Sequence, residues 1–214
     1  MAQIFPKWTN KVPKIAVVSL VCSAIGIVFI FWYWFSPYNL EVGYQPVQPV
    51  PYSHKIHAGD LGMDCRYCHT GVEKGPVAGV PPTQTCMNCH ATIKTDSLAL
   101  ERVRESNRTD LPIPWIRVHK VADYAYFDHS AHIAAGVGCI SCHGRIDQMT
   151  EVKLEKPLSM GWCLDCHRNP EPHLRPLDKI TDMEWVGDEN WKTIARAKAK
   201  TLHPPVESCS GCHR

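Results

Sequence analysis

Cys65-Arg66-Tyr67-Cys68-His69 is the first of five Cys-x-x-Cys-His motifs in this chain of 214 residues. The second to fifth motifs begin at Cys86, Cys139, Cys163 and Cys209. This spacing is typical of c-type haem attachment, in which two thiols bond to the vinyl groups of one haem and the adjacent His binds its iron. A structural zinc site is the alternative, but zinc needs no His at that fixed position. The motifs therefore predict five covalently bound haem c groups.

The cysteine count agrees with this interpretation. Ten of the eleven cysteines lie in the motifs, so no set is left from which to build a disulfide framework. The remaining Cys22 lies in an apolar segment and is interpreted as a small buried hydrophobic residue, since the apolar run continues beyond it. The predicted thioether cysteines are Cys65, Cys68, Cys86, Cys89, Cys139, Cys142, Cys163, Cys166, Cys209 and Cys212, and the predicted proximal iron ligands are His69, His90, His143, His167 and His213.

The N-terminal part of the chain predicts a single membrane anchor. Residues 15–35 contain no charged residue and are numerous enough to cross a bilayer as one helix. The segment ends in the aromatic cluster 31–35, which suits a membrane interface, whereas a cleaved signal peptide has a shorter apolar core and a small-residue cleavage site. Three lysines in residues 1–14 place that end in the cytoplasm by the positive-inside rule. We therefore expect a single-pass protein of the bacterial cytoplasmic (inner) membrane, with the haem motifs on the periplasmic side.

The remainder of the chain predicts a spacer and one periplasmic domain. Residues 36–51 are punctuated by proline and predict a semi-rigid, extended spacer, and residues 52–214 predict the pentahaem domain. Within this domain an aromatic residue followed by His-x-x-His occurs twice, each time upstream of two haem motifs. The pattern indicates an internal two-haem repeat, at about 52–95 and 127–170, with the fifth motif at 209–213 outside it.

The ratio of chain to cofactor predicts the fold class. So short a domain cannot enclose each of five macrocycles in its own protein core, so we expect the haems to form the core. Seventeen prolines and thirteen glycines favour turns over long regular elements. The prediction is a multihaem cytochrome c with one N-terminal transmembrane helix and a haem-cored, mostly irregular, short-helical domain with little strand. Helices are expected at 97–105 after Asp96 and at 189–200 after Asp188.

Seven of the twelve histidines lie outside the motifs and are candidates for the distal iron ligands. The two His-x-x-His pairs are favoured because the spacing i, i+3 on a helical turn projects both rings from one side, where each can reach a different iron. Met160 is a thioether alternative that would raise the potential of its haem, although packing against a porphyrin face is preferred for it. The predicted distal ligands are His54, His57, His119, His129 and His132, with Met160, His173 and His203 as lower-ranked alternatives.

These ligand numbers indicate electron transfer rather than catalysis. If every iron has two axial ligands from the protein, none has a position open for a substrate, so we expect no substrate site in this chain alone. The sequence contains no Cys-x-x-Cys-Lys, GxGxxG, phosphate loop or serine-nucleophile elbow. The formal net charge is +2 without a clustered basic stripe, which argues against nucleic-acid binding.

Four segments carry a resemblance to a known family: Tyr52-Ser-His-Lys-Ile-His-Ala-Gly, Cys65-Arg-Tyr-Cys-His-Thr-Gly-Val-Glu, Tyr126-Phe-Asp-His-Ser-Ala-His and Met160-Gly-Trp-Cys-Leu-Asp-Cys-His-Arg-Asn-Pro. Together with the single N-terminal span they resemble the pentahaem cytochrome c subunit of bacterial alternative complex III, a quinol:electron-acceptor oxidoreductase. The resemblance covers nearly the whole chain. It implies an integral membrane subunit that oxidises quinol, an iron–sulfur subunit, and a monohaem cytochrome, a soluble periplasmic acceptor or a terminal oxidase as partners.

In that family the pentahaem subunit relays electrons from quinol oxidation in a partner to the downstream acceptor. The predicted span 15–35 has no charged residue, so we expect quinol proton chemistry to take place in a partner subunit. The alternative is a self-sufficient, membrane-anchored multihaem quinol dehydrogenase that feeds a periplasmic reductase. Proteins of that type usually carry four haems, with the first close to the span, whereas here a proline-rich segment intervenes.

Overall fold

The computed structural model describes residues 4–36, 39, 41–202 and 207–213 of the chain. The chain divides into two compact units, Met1–Glu41 and Val42–Arg214.

The first unit is dominated by one long helix. A 3-10 helix at Lys7–Lys11 leads into an α-helix at Val12–Trp34, which has proline in its first turn. Proline suits that position because its missing N–H has no partner within the helix. None of the helix side chains is buried, and the most apolar window has a mean hydropathy of 2.6. The helix is therefore long and apolar enough to be a membrane span, and it begins three residues before the predicted segment 15–35.

The second unit consists of short helices joined by turns. Its α-helices are Cys65–Cys68, Thr83–His90, Glu101–Thr109, His129–Ala135, Ile140–His143, Met160–Arg168, Glu189–Thr201 and Cys209–Cys212. It also contains 3-10 helices at Leu98–Leu100, Ile146–Gln148, Glu171–His173 and Leu177–Lys179, and a π-helix at Lys55–Asp60. The described residues form no β-strand, only the isolated bridges Ala125–His213 and Val137–Leu174. The prediction of little strand is confirmed for the described part of the chain.

The two helices predicted from capping signals have different outcomes. The helix after Asp188 is confirmed and extends to Thr201, with the Asp188 carboxylate accepting the N–H of Trp191 at 2.7 Å. The helix predicted at 97–105 is wrong as a single element. Its first turn is the 3-10 helix Leu98–Leu100, and Leu100 (φ −100°, ψ 5°) leaves helical geometry before an α-helix begins at Glu101.

Residues 43–50 of the segment predicted to be a spacer pack within the second unit instead of standing free of it. The N–H of Gly43 donates to the Leu154 carbonyl at 2.8 Å, and the Leu154 N–H donates to the Tyr44 carbonyl at 3.0 Å. The side-chain amide of Gln48 makes two hydrogen bonds to the backbone of Ile116, of 2.9 and 3.0 Å, and Val50 is only 4% exposed. Residues 45–48 have no helix or strand, but these bonds hold them against the domain.

The polypeptide of the second unit has a sparse apolar core. Among the described residues the buried apolar side chains are Val50, Val103, Met149, Leu154, Leu174, Ile180, Met183 and Ala195. None of them lies in a Cys-x-x-Cys-His motif or in a His-x-x-His pair. The motif residues instead line half-buried surfaces between the short helices.

Candidate haem-binding sites

Each Cys-x-x-Cys-His motif is placed on a helical turn. The helix Cys65–Cys68 is capped by Asp64, whose carboxylate accepts the N–H of Arg66 at 2.8 Å. The helix Met160–Arg168 begins after Ser159, whose hydroxyl accepts the N–H of Trp162 at 3.3 Å. Because residues i and i+3 project from the same side of a helix, the two cysteines of a motif face one direction. This is the geometry needed to attach both to one edge of a macrocycle.

Four of the five motif histidines face an imidazole from a His-x-x-His pair. The ring centroids are 6.5 Å apart for His54 and His69, 6.2 Å for His57 and His90, 6.5 Å for His129 and His143, and 6.0 Å for His132 and His167. A metal–imidazole bond is about 2.0–2.1 Å long, so two imidazoles that bind one metal from opposite sides have centroids about 6–6.5 Å apart. All four separations fit an iron held between the two rings.

The two His-x-x-His segments repeat one three-dimensional arrangement. Tyr52 meets the ring of His54 edge-on (4.9 Å, 87°) and stacks on His57 (4.5 Å, 24°). Phe127 meets His129 edge-on (4.7 Å, 87°) and lies over His132 (4.6 Å, 31°). In both segments the first His pairs with the nearer motif downstream and the second His pairs with the following motif.

Backbone carbonyls fix the orientation of most candidate ligands. The Nδ1 atoms lie 2.7–3.1 Å from the carbonyl oxygens of residues that the motifs do not contain: His57 to Ser53, His69 to Gly79, His90 to Ile93, His129 to Pro76, His132 to Asp128 and His213 to Tyr124. A carbonyl can only accept, so the proton lies on Nδ1 and the lone pair on Nε2. This is the tautomer and the supporting contact expected of a metal-binding His. These carbonyl partners had no signal in the sequence, since any residue type can supply one.

Burial keeps several of the imidazoles uncharged. It lowers the pKa of His54 and of His119 to about 4 and that of His143 to about 3. Because the ordinary pKa of His is about 6.5, these rings are neutral at pH 7, which is the form that binds metals. The Nδ1 atoms of His54 and His143 and the Nε2 of His119 are also buried without a hydrogen-bond partner. The donor set, two thiols and two facing imidazoles at each of four motifs, fits haem iron.

The fifth motif differs from the other four. Among the described residues no imidazole forms a pair of this kind with His213, whose ring lies 5.7 Å from that of Tyr124. His119, the residue predicted to complete the set of distal ligands, instead lies against His143 with centroids 4.3 Å apart. That separation is too short to hold a metal between the two rings.

The lower-ranked alternatives are placed as follows. Met160 is the first residue of its helix and is 62% exposed. His173 ends the 3-10 helix Glu171–His173, where burial lowers its pKa. His203 lies outside the described residues.

One buried charge beside the third motif was missed at the sequence level. Arg175 is 8% exposed, its side chain packs against Gly138, and its guanidinium lies 5.3 Å from the ring centroid of Trp185. It donates a hydrogen bond to the backbone carbonyl of Asp182, and burial lowers its pKa. A single arginine in a proline-containing loop follows no recognisable pattern, so the sequence offered no reason to select it.

Helix-borne Cys-x-x-Cys-His motifs with opposed imidazoles are the arrangement of a multihaem cytochrome c. No protein-family model matches the chain. Over 122 residues it is 34% identical to the multihaem cytochrome c subunit of menaquinone reductase from Nitratidesulfovibrio vulgaris (strain Hildenborough). The match covers 56% of this chain and 56% of that protein, so the chain aligns with little more than half of its relative. The similarity supports the predicted class, multihaem cytochrome c, and does not extend to alternative complex III.

Proposed function

We propose that this chain is a membrane-anchored multihaem cytochrome c that carries five haem c groups and relays electrons between a quinone-reactive partner and a periplasmic redox protein. The observation that carries the proposal is the set of four opposed imidazole pairs, with centroids 6.0–6.5 Å apart. Similarity to a multihaem cytochrome c subunit supports the same class. When bound, haem c supplies an iron that gains and loses one electron.

The residues of the chain have distinct tasks in this proposal. The ten motif cysteines hold the macrocycles covalently, and the five motif histidines are the proximal ligands. His54, His57, His129 and His132 are the distal ligands of the first, second, third and fourth motifs respectively, as their ring pairs indicate. In six of these histidines a carbonyl behind Nδ1 holds Nε2 in place, so those ligands need not reorient when the charge of the site changes.

The fifth motif keeps His213 as its proposed proximal ligand, oriented by the Tyr124 carbonyl at 3.1 Å. His119, Met160, His173 and His203 stay as candidates for the distal position that the four ring pairs leave open. His119 is the predicted ligand among them, and its ring lies against His143.

Filling both axial positions also determines what the chain cannot do. An iron with two protein ligands has no position open for a substrate, and this applies to the four paired sites. We propose that a protein ligand also fills the distal position of the fifth site, so that the chain by itself has no catalytic site. The apolar helix Val12–Trp34 is the proposed anchor, with the N-terminus in the cytoplasm and the second unit in the periplasm. Quinone chemistry then belongs to an integral membrane partner.

Two directions of electron flow are candidates. The segment resemblance favours a subunit of alternative complex III, which would take electrons from a quinol-oxidising subunit and an iron–sulfur subunit and pass them to a monohaem cytochrome or another periplasmic acceptor. The similarity to a menaquinone reductase subunit favours the second candidate, in which electrons flow toward menaquinone. Both candidates use the same ligands, and they differ in the partners that contact the chain.

Purification from native membranes in mild detergent tests these proposals. A pyridine haemochrome assay should give five haem c per chain, and a colourless protein would refute the proposed class. Partner subunits that copurify are identified by mass spectrometry, and quinol:cytochrome c and menaquinone reductase activities are then compared on the same preparation. If the isolated chain alone oxidises quinol, the self-sufficient quinol dehydrogenase is the correct function instead.

A further inference from the structure

One His-x-x-His segment joins the two motifs within each repeat. In the first repeat, the His54 ring faces His69 of the first motif and the His57 ring faces His90 of the second. The side-chain amide of Asn88 in the second motif also donates to the Tyr67 hydroxyl in the first, at 3.0 Å. In the second repeat, Phe127 contacts the rings of His129 and His132, which face His143 of the third motif and His167 of the fourth. Each His-x-x-His pair therefore holds two neighbouring sites.

The two repeats meet at their first motifs. Two consecutive residues bridge the first and third motifs: the Ile180 carbonyl accepts the Cys139 N–H at 3.1 Å, and the Thr181 hydroxyl donates to the Asp64 carboxylate at 2.9 Å. Asp64 is the cap of the first motif's helix, so this bridge fixes the first motif beside the third.

The fifth motif docks on the fourth. Arg168, the last residue of the fourth motif's helix, forms an ion pair with Glu207 just before the fifth motif, with an N–O distance of 3.3 Å. In addition, the N–H of Tyr126 donates to the Cys212 carbonyl at 2.8 Å, directly before the Phe127 that packs on His132.

Exposure distinguishes the ends of this series from its interior. Of the ten motif cysteines, Cys89 and Cys209 are exposed and the other eight are partly buried. Cys89 belongs to the second motif and Cys209 to the fifth. These are the two motifs that the contacts place at the ends.

We infer that the five sites form an unbranched series in the order second, first, third, fourth, fifth, and that external one-electron redox proteins contact the chain at the exposed second and fifth motifs. This inference rests on the proposed function, since it requires haem at every motif. A partner protein can bring its redox centre close to a site whose attachment cysteine is exposed. The first, third and fourth motifs each lie between two others in the series, so electrons reach them through the ends.

The iron positions of the holoprotein test the order directly. Anomalous scattering at the iron edge, from crystals of the full chain with its haems, locates each metal independently of activity. We expect the iron of the first motif to lie nearest those of the second and third motifs, and the iron of the fourth nearest those of the third and fifth. Five irons in any other order of neighbours would overturn the inference and leave the proposed function intact, whereas absence of iron at the motifs would refute the proposed function itself.

Steric masking tests the two contact sites. On a Cys22→Ser background, Thr95→Cys beside the second motif, Glu207→Cys beside the fifth and Asp178→Cys beside the third each offer one exposed thiol for a maleimide–polyethylene glycol. The matched control is Asp178→Cys, which lies two residues before Ile180, whose carbonyl accepts the Cys139 N–H. The readout is the bimolecular rate of haem reduction by photoreduced flavodoxin, relative to each unlabelled variant. Masking positions 95 and 207 together should remove most of the rate, and the mask at 178 should leave it unchanged; an equal loss with the control mask, or no loss with the double mask, would overturn the assignment.

Discussion

Replacing His132 with alanine tests the proposed axial ligands at one defined site. The His132 ring lies 6.0 Å from that of His167 and is the proposed distal ligand of the fourth motif. Removing it opens one axial position on one of five irons. We expect one haem in five to become high-spin in the ferric state and to bind one carbon monoxide per chain in the ferrous state, whereas the unaltered protein binds none at the four paired sites.

The structure also indicates whether this variant folds. The substitution removes the hydrogen bond from Nδ1 to the Asp128 carbonyl (2.7 Å), worth about 0.5–1.5 kcal/mol. It also removes the contact with the Phe127 ring (4.6 Å), worth about 0.5–1.5 kcal/mol. Together these losses are smaller than the stability of a typical domain, about 5–15 kcal/mol, so the variant should remain folded.

Electron paramagnetic resonance and the ferrous carbon monoxide difference spectrum provide the measurement. Ser130→Ala is the matched control, because Ser130 lies on the same helix and its hydroxyl contacts only the Asp128 carboxylate, at 2.7 Å. This control should keep the spin state and the carbon monoxide binding of the parent protein. If His132→Ala also stays low-spin and gains no carbon monoxide binding, the ring-pair reasoning is wrong at this site.

Three further predictions follow from single features of the second unit. Arg175→Gln removes a buried positive charge beside the third motif, so the midpoint potential of one haem should fall in a redox titration. Arg175→Lys keeps the charge, and its haem potentials should stay close to those of the parent protein. Unchanged potentials in the glutamine variant would contradict this role. Gly136→Ala should lower the melting temperature, because Gly136 has φ +90° and an added Cβ would lie 2.8 Å from the Arg175 carbonyl oxygen, at a cost of about 1–3 kcal/mol. The control is Gly75→Ala, where an added Cβ meets nothing within 4 Å, and its melting temperature should equal that of the parent protein. Acidification from pH 7 to pH 4 should destabilise the domain, because unfolded His binds protons below a pKa of about 6.5 whereas burial lowers the pKa of His54 to about 4 and that of His143 to about 3. The unfolded state therefore gains protons first. A melting temperature independent of pH over this range would contradict this prediction.

The sequence was most informative where the pattern is local. Aromatic-x-His-x-x-His is a spacing within one short segment, so the geometry of Tyr52 and Phe127 against their histidines follows from the segment itself. Which motif each ring faces is different, because that depends on how distant helices pack. The pattern could select His57 as a candidate, but only the folded chain brings it 6.2 Å from the ring of His90.

The prediction for His119 shows the limit of counting. Five irons need five distal ligands, and the position of His119 between the two repeats makes it the fifth candidate without any spacing pattern to support it. In the structure it lies 4.3 Å from His143 and its Nε2 is buried without a partner. Counting irons gives the number of distal ligands but does not identify them. The four histidines of the His-x-x-His pairs face motif histidines at a distance that fits a metal, and His119 does not.

The order of sites follows from how the two-site unit is duplicated. Each His-x-x-His segment joins two motifs, and the bridge from Ile180 and Thr181 joins the two units through the first motif of each. Because the two repeats are joined through the first motif of each, the second motif of each repeat lies at an end of this series of four. The fifth motif extends one of those ends only, and its His213 faces no His-x-x-His imidazole among the described residues. The two ends therefore differ in axial surroundings, and because axial ligation tunes haem potential, we expect the direction of electron flow to be set by the fifth motif rather than by the duplicated units.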